Sequence, residues 1–196
     1  MNTNIPSTKE KSIRFQIVSR LGTPQIVILA VSIIWMLIFP NDSIIKYFNI
    51  DIWVVLIGIG TGCALAFLGD AFYHFAKKTK KFYEAVELFE QNLSPVIKHL
   101  EFVDIILMSS ISGFCEEVFF RGLLFKKVGI IISSVAFGLL HLPKPKFWIY
   151  AVWACGSGAI LALLFLWTNS ILTPVIAHVT NNLIGMILLK RLKISK

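Results

Sequence analysis

Glu116 and Glu117 in GFCEEVFFRGLLF, His141 in FGLLH, and His178 with Asn182 in HVTNN are polar groups set among apolar residues. A carboxylate hydrogen-bonded to an imidazole can hold and deprotonate a water. A second imidazole and a carboxamide can donate to a developing oxyanion. Together these groups are equipment for hydrolysing an amide with an activated water. No Ser/His/Asp arrangement and no thiol near a histidine competes for a covalent route. The rival is a metal centre, since Glu116, His141 and His178 could ligate zinc; HExxH is absent, and the sequence supplies no obvious second shell.

Helical geometry sorts these residues. Neighbours on a helix lie about 100° apart, so Glu116 and Glu117 are expected to face different partners. Glu117 and Arg121 are four apart with the acid N-terminal, the favourable order for an ion pair, and are read as structural support. Glu116 is left over, on a face with Gly113 and Phe120. A lone carboxylate inside a membrane needs a proton or a partner. At 1.5 Å per residue, Glu116 lies roughly 15 Å from a turn at Lys126–Lys127. His178 lies roughly 14 Å past a turn at Thr168–Asn169–Ser170, and His141 and Asn182 come out roughly 20 Å deep. Four polar groups on three helices thus share a level. Phe137 is expected to pack against the site without reacting, Asn181 to be interhelical hydrogen-bonding glue, and Cys63, Cys115 and Cys155 to be packing residues.

The elements that must position them are membrane helices. Mean hydropathy is +0.76 and only 15% of residues are charged, against about a quarter in soluble domains. The expected fold is an all-α polytopic transmembrane bundle of about six spans plus an interfacial helix. The spans are Leu21–Pro40, Ile52–Phe75, a helix opened by Ser94-Pro95 and ending near Lys126–Lys127, Val128–Leu142 (stopped by the PKP at 143–145), Phe147–Trp167 and Ile171–Leu189. Gly58, Gly60 and Gly62 suggest close helix packing. KKTKKFYEAVELFEQNL carries apolar residues at helical spacing between charges, as a helix on the membrane surface does. Residues 1–20 read as a basic cytosolic tail, and 21–196 as one membrane domain with its core at 95–190. The net charge of +8 sits just outside apolar runs, which speaks for topology and against nucleic-acid binding. It places both termini in the cytosol, with the cell membrane as the expected location. The lipid bilayer and a membrane-associated protein or peptide are the expected partners.

EEVFFR, FGLLH and HVTNN, as EExxxR, FxxxH and HxxxN in that order on successive helices, resemble the CAAX-protease and bacteriocin-processing (CPBP, or Abi) family of intramembrane glutamic endopeptidases. The resemblance covers about Phe102 to Leu189. It implies that Glu116 and His141 activate water, that His178 and Asn182 stabilise the oxyanion, and that Glu117 and Arg121 are architectural. It implies an endopeptidase using no cofactor and no metal, acting on a CAAX-like or leader/bacteriocin-type substrate. The alternatives are a zinc-dependent protease on the same scaffold and a non-enzymatic bacteriocin-immunity or scaffold protein.

Overall fold

Asp51 and Glu101 mark two helix starts that local chemistry dictates. The Asp51 carboxylate accepts from the Val54 N–H at 2.8 Å, capping the exposed donors of the first turn. Glu101 and Asp104 form a reciprocal capping box, which satisfies two such donors at once. The computed structural model describes residues 8–142 and 144–191. Every regular element among the described residues is helical: α1 (Thr8–Ile38), α2 (Ile52–Lys78), α3 (Lys80–Lys98), α4 (Phe102–Glu117), a π-helical stretch (Val118–Leu124), α5 (Phe125–Leu140), α6 (Trp148–Thr168) and α7 (Leu172–Arg191). Short 3-10 turns lie at Pro40–Asp42, Ile45–Tyr47 and Pro145–Phe147. The all-α polytopic expectation holds. The expected stop at Pro143, the first seven residues of the expected tail and the lysines at 193 and 196 lie outside the described residues.

Five stretches are long and apolar enough to cross a membrane: Lys11–Ile38, Ile52–Lys78, Phe102–Leu140, Pro145–Thr168 and Leu172–Arg191. The third is folded back on itself. Gly129 has φ 75° and ψ 179°, a conformation glycine adopts without steric cost, and there the chain reverses. Phe120 and Phe137 consequently meet with ring centroids 5.0 Å apart, where a straight helix would hold them about 25 Å apart. The turn is thus at Gly129, two residues beyond the expected lysine pair. The second arm, residues 130–140, is about 16 Å long, half of the roughly 30 Å hydrocarbon core. That is why length and composition give five spans where six were expected.

Other boundaries shift for physical reasons. Ser94 and Pro95 do not open a helix: α3 continues through them to Lys98, and the next helix starts at the capping box. α1 begins at Thr8, so the described part of the expected tail is helical, and its Arg14 bonds to the Asp104 carboxylate at 2.6 and 2.9 Å. The apolar stripe of α3 packs on the bundle, with Val86 and Ile97 buried, Phe82 against Trp148 at 5.7 Å and Phe89 against Tyr150 at 5.2 Å.

α7 lies between α2 and α4, and two glycines set its depth. A Cβ on Gly62 would meet the Ala177 carbonyl and the Thr180 Cβ at 2.5 Å, and one on Gly113 would meet the Val179 nitrogen at 3.0 Å. The backbone on both sides of His178 is thereby clamped. Gly58 approaches Ile176 in the same way, whereas a Cβ on Gly60 would meet nothing within 4 Å among the described residues, and Gly60 takes no part in the packing expected of it. At the far end of α1, Asp42 accepts from Trp35 Nε1 at 2.9 Å and pairs with Lys127 Nζ at 2.9 Å. The Trp35 hydrogen bond first, and then Lys127, hold the Asp42 carboxyl below the usual carboxylate range.

Gly62→Ala is expected to destabilise the fold by about 1–3 kcal/mol, read as a lower melting temperature in detergent, while Gly60→Ala stays within about 0.5 kcal/mol of the parent. A carboxyl with a depressed folded-state pKa stabilises above its unfolded value, and that contribution is lost as pH falls through the folded value. The Trp35–Asp42–Lys127 link is therefore expected to be intact at neutral pH and to release only below about pH 4. A tryptophan fluorescence change in that range, missing from Asp42→Asn, is the measurement.

Candidate active site

His141 caps α5, and its Nδ1 lies 2.8 Å from the Phe137 carbonyl oxygen one turn earlier. A carbonyl only accepts, so Nδ1 carries the proton in this bond and the neutral ring presents Nε2 as a lone pair. His178, on α7, is fixed in the same sense: its Nδ1 lies 2.7 Å from Glu117 Oε1. A carboxylate holding Nδ1–H again leaves Nε2 as the free atom.

Both Nε2 atoms face Glu116. Its Oε2 lies 3.7 Å from His141 Nε2 and 4.0 Å from His178 Nε2. Glu116 and His141 are 25 positions apart and would be about 37 Å apart on a straight helix; the reversal at Gly129 brings them together. Neither separation is a hydrogen bond, and both are within the reach of one bridging water. Glu116 is buried, and its Oε2 has no hydrogen-bond partner among the described residues. Its other oxygen accepts from Gln25 Nε2, on α1, at 2.8 Å.

Glu117 and Arg121 are 0% and 1% exposed, so neither could stand alone. Arg121 Nη1 donates to Glu117 Oε1 at 2.7 Å, the pairing the spacing predicts, and Nη2 donates to the Gly158 carbonyl at 2.9 Å. The guanidinium lies over the Phe137 ring at 4.5 Å, and that ring is 4.6 Å from His141 and 5.7 Å from His178. Phe137 packs as expected. The expectation that Glu116 and Glu117 address different partners does not hold. Both approach the imidazole of His178, one from each nitrogen, because a ring with two separated nitrogens accommodates side chains diverging by about 100°.

Asn182, one turn beyond His178, donates from Nδ2 to Ser112 Oγ at 3.0 Å and accepts from Asn181 Nδ2 at 3.3 Å. It makes no direct bond to Glu116 or the histidines. It lines, with Glu116, His141 and Ser112, a largely apolar cavity of about 370 Å³ between the helices. Three residues here escaped the sequence reading: Gln25, Ser112 and Tyr150. Tyr150 lines the cavity too, its ring 5.7 Å from that of His141. Gln25 had a signal, being a carboxamide in a charge-free span; Ser112 and Tyr150 carried none that separates them from ordinary packing residues.

Among the described residues no group of three His, Cys, Asp or Glu side chains is placed to hold a metal ion, although Glu116, His141 and His178 are the residue types that could ligate one. The 3.7 and 4.0 Å spacings are wider than the edge of about 3.3 Å that zinc bonds of 2.0–2.1 Å imply. Arg121→Ala leaves Glu117 as an uncompensated buried charge, and is expected to destabilise by about 3–5 kcal/mol, seen as loss of folded protein in detergent extracts. Glu117→Gln is expected to lower the melting temperature and also loosen His178, visible as a shift of its imidazole ¹⁵N resonances.

Residues 98–184 match the family described as Type II CAAX prenyl endopeptidase Rce1-like. A 74-residue stretch is 30% identical to the uncharacterized protein YpbD of Bacillus subtilis (strain 168), covering 38% of this chain and 39% of that protein. The chain thus aligns with well under half the length of this curated relative. No solved structure matches significantly. The matched segment holds Glu116, Glu117, Arg121, Phe137, His141, His178 and Asn182, and in that segment the chain, a multi-pass membrane protein by its five long apolar helices, is similar to the Rce1-like CAAX endopeptidases.

Proposed function

We propose that this chain is an intramembrane endopeptidase that hydrolyses a peptide bond of a membrane-associated substrate, CAAX-like or of leader or bacteriocin type, through a water activated by Glu116. The observation that carries this reading is the buried, unpartnered Oε2 of Glu116 facing two imidazole Nε2 atoms at 3.7 and 4.0 Å. A water there donates one hydrogen to Glu116 Oε2 and the other to His141 Nε2, leaving a lone pair for the scissile carbonyl carbon. As the C–O bond forms, Glu116 takes the first proton and the carbonyl π pair moves to oxygen. Asn182 has a second amide hydrogen, beyond the one given to Ser112, for that oxyanion. His178 Nε2 donates to it only as an imidazolium, a cation the Glu117 carboxylate at Nδ1 stabilises. Glu116 then returns its proton to the leaving amine, the C–N bond breaks, and no covalent intermediate forms.

Lys77, Lys78, Lys80, Lys81, Lys98, Lys144, Lys146, Lys190 and Arg191 gather at helix ends and connections, against Lys46, Lys126 and Lys127 at the others. By the positive-inside rule this supports both termini on the cytosolic side of the cell membrane.

Glu116→Gln preserves shape and removes the base. In proteoliposomes with a prenylated CAAX peptide, it is expected to lower cleavage by about 10²–10⁴-fold with an unchanged melting temperature. Cleavage by this variant at the parent rate would sink the proposal. The second reading, a zinc-dependent hydrolase, rests on the residue types Glu116, His141 and His178, and their spacing is wide for it. Inhibition by a chelator, reversal by zinc and one bound metal per chain would establish it.

A further inference from the structure

Gln25 stands outside the three motifs, outside the matched segment 98–184 and on a different helix, yet it makes the one direct hydrogen bond that Glu116 receives from another side chain among the described residues. We infer that Gln25 is a positioning residue for Glu116, and that α1 is thereby part of the catalytic wall; this rests on the hydrolase reading above.

A carboxylate used as a base must present one defined oxygen. The terminal torsion of glutamate is broad and roughly two-fold, so packing alone fixes it poorly. Gln25 Nε2 occupies Oε1 at 2.8 Å. The ionised carboxylate only accepts, which fixes the amide nitrogen as the atom that faces it. Oε2 is left as the basic atom facing His141 and His178.

The chemistry of the donor matters as much as its position. Glu117, next in sequence, is bonded by a guanidinium, whose full charge holds it as a spectator anion. Glu116 is bonded by a neutral amide, which orients the carboxylate without supplying a counter-charge. A lysine or arginine at position 25 would orient it equally well and quench it.

α1 is built to deliver this amide. Most of its apolar surface faces outward, and it is tied to the bundle by Arg14 with Asp104 and Glu101 at one end and by Trp35 and Met36, packed against Ile44, Val118 and Leu123, at the other. Between them, buried Gly22, one turn from Gln25, faces Met108 on α4, whose Cε would lie 4.0 Å from a Cβ placed there. The helix is thus held at both ends and seated in the middle, which fixes the height of Gln25 relative to Glu116.

The test uses the full chain and two variants, Gln25→Leu and Gln25→Met; Gln25→Met keeps the length of the side chain should branching disturb packing. The first readout needs no substrate: the carboxyl band of Glu116 in difference infrared spectra, identified by its disappearance in Glu116→Gln. Both variants are expected to shift that band. In the prenylated-peptide assay they are expected to lower kcat by about 10- to 100-fold, the rate equivalent of one hydrogen bond to a charged group, with KM within about twofold and an unchanged melting temperature. An unshifted band, or a parent-like kcat in a chain whose Glu116→Gln variant is inert, overturns the role of Gln25 and leaves the hydrolase reading standing. Parent-like cleavage by Glu116→Gln overturns the hydrolase reading, whatever the Gln25 variants do.

Discussion

An arginine with 1% of its surface exposed has to be neutralised and hydrogen-bonded by its surroundings, because the low dielectric returns the lost hydration only through good geometry. Arg121 meets that demand with three contacts on three elements: the Glu117 carboxylate, the Gly158 carbonyl of α6 and the Phe137 face of α5. Each contact then fixes something else. Glu117 Oε1 also holds His178 of α7, and the Phe137 carbonyl holds Nδ1 of His141. One buried cation therefore sets the orientation of both imidazoles, although it is within bonding distance of neither.

The π-helical stretch Val118–Leu124 follows from the same crowding. Residues 115–118 and 120–123 are all buried, so this segment runs through the middle of the bundle and must pack on every side. A wider turn redistributes side chains that an α-helix would stack on one face, and such stretches recur at functional sites. Here it lies between the two glutamates and the reversal at Gly129. It lets Arg121 reach both back to Glu117 and across to α6, while Phe120 meets Phe137 edge to face at 5.0 Å.

Much of this was legible from residue types and spacing. Glu117 and Arg121 declared themselves through the four-residue interval, which is intrinsic to one helix and needs no tertiary information. Depth counted along each span put Glu116, His141 and His178 at neighbouring levels, and the fold joins them. Rotation about each helix axis was harder, because helical arithmetic gives directions relative to one axis and not to the neighbouring helix. That is why the approach of both glutamates to His178 was missed, and why Gly60 looked equivalent to Gly58 and Gly62. Ser94-Pro95 misled because a serine–proline pair is compatible with a helix interior when the preceding turn is already formed and tertiary packing holds it. Gln25 was hidden by being alone: an isolated amide in an apolar span has no periodic partner, and its meaning depends wholly on which helix packs beside it.

Two chemically identical carboxyls, adjacent in sequence and equally enclosed, are separated by what each one touches. Glu117 has a cation on one side and an imidazole N–H on the other, both bound to a single oxygen, and its charge is committed. Glu116 has a neutral amide on one oxygen and two ring nitrogens at a distance on the other, so its charge remains available to a proton. An arginine and two carboxylates leave the buried cluster with one negative charge in excess, and a proton taken up by Glu116 balances it. In the proposed reaction that is the proton which must move, first from water and then to the leaving amine. A site needing one mobile proton is served by a cluster that is neutral when it holds one, and the division of labour between Glu116 and Glu117 follows from that count.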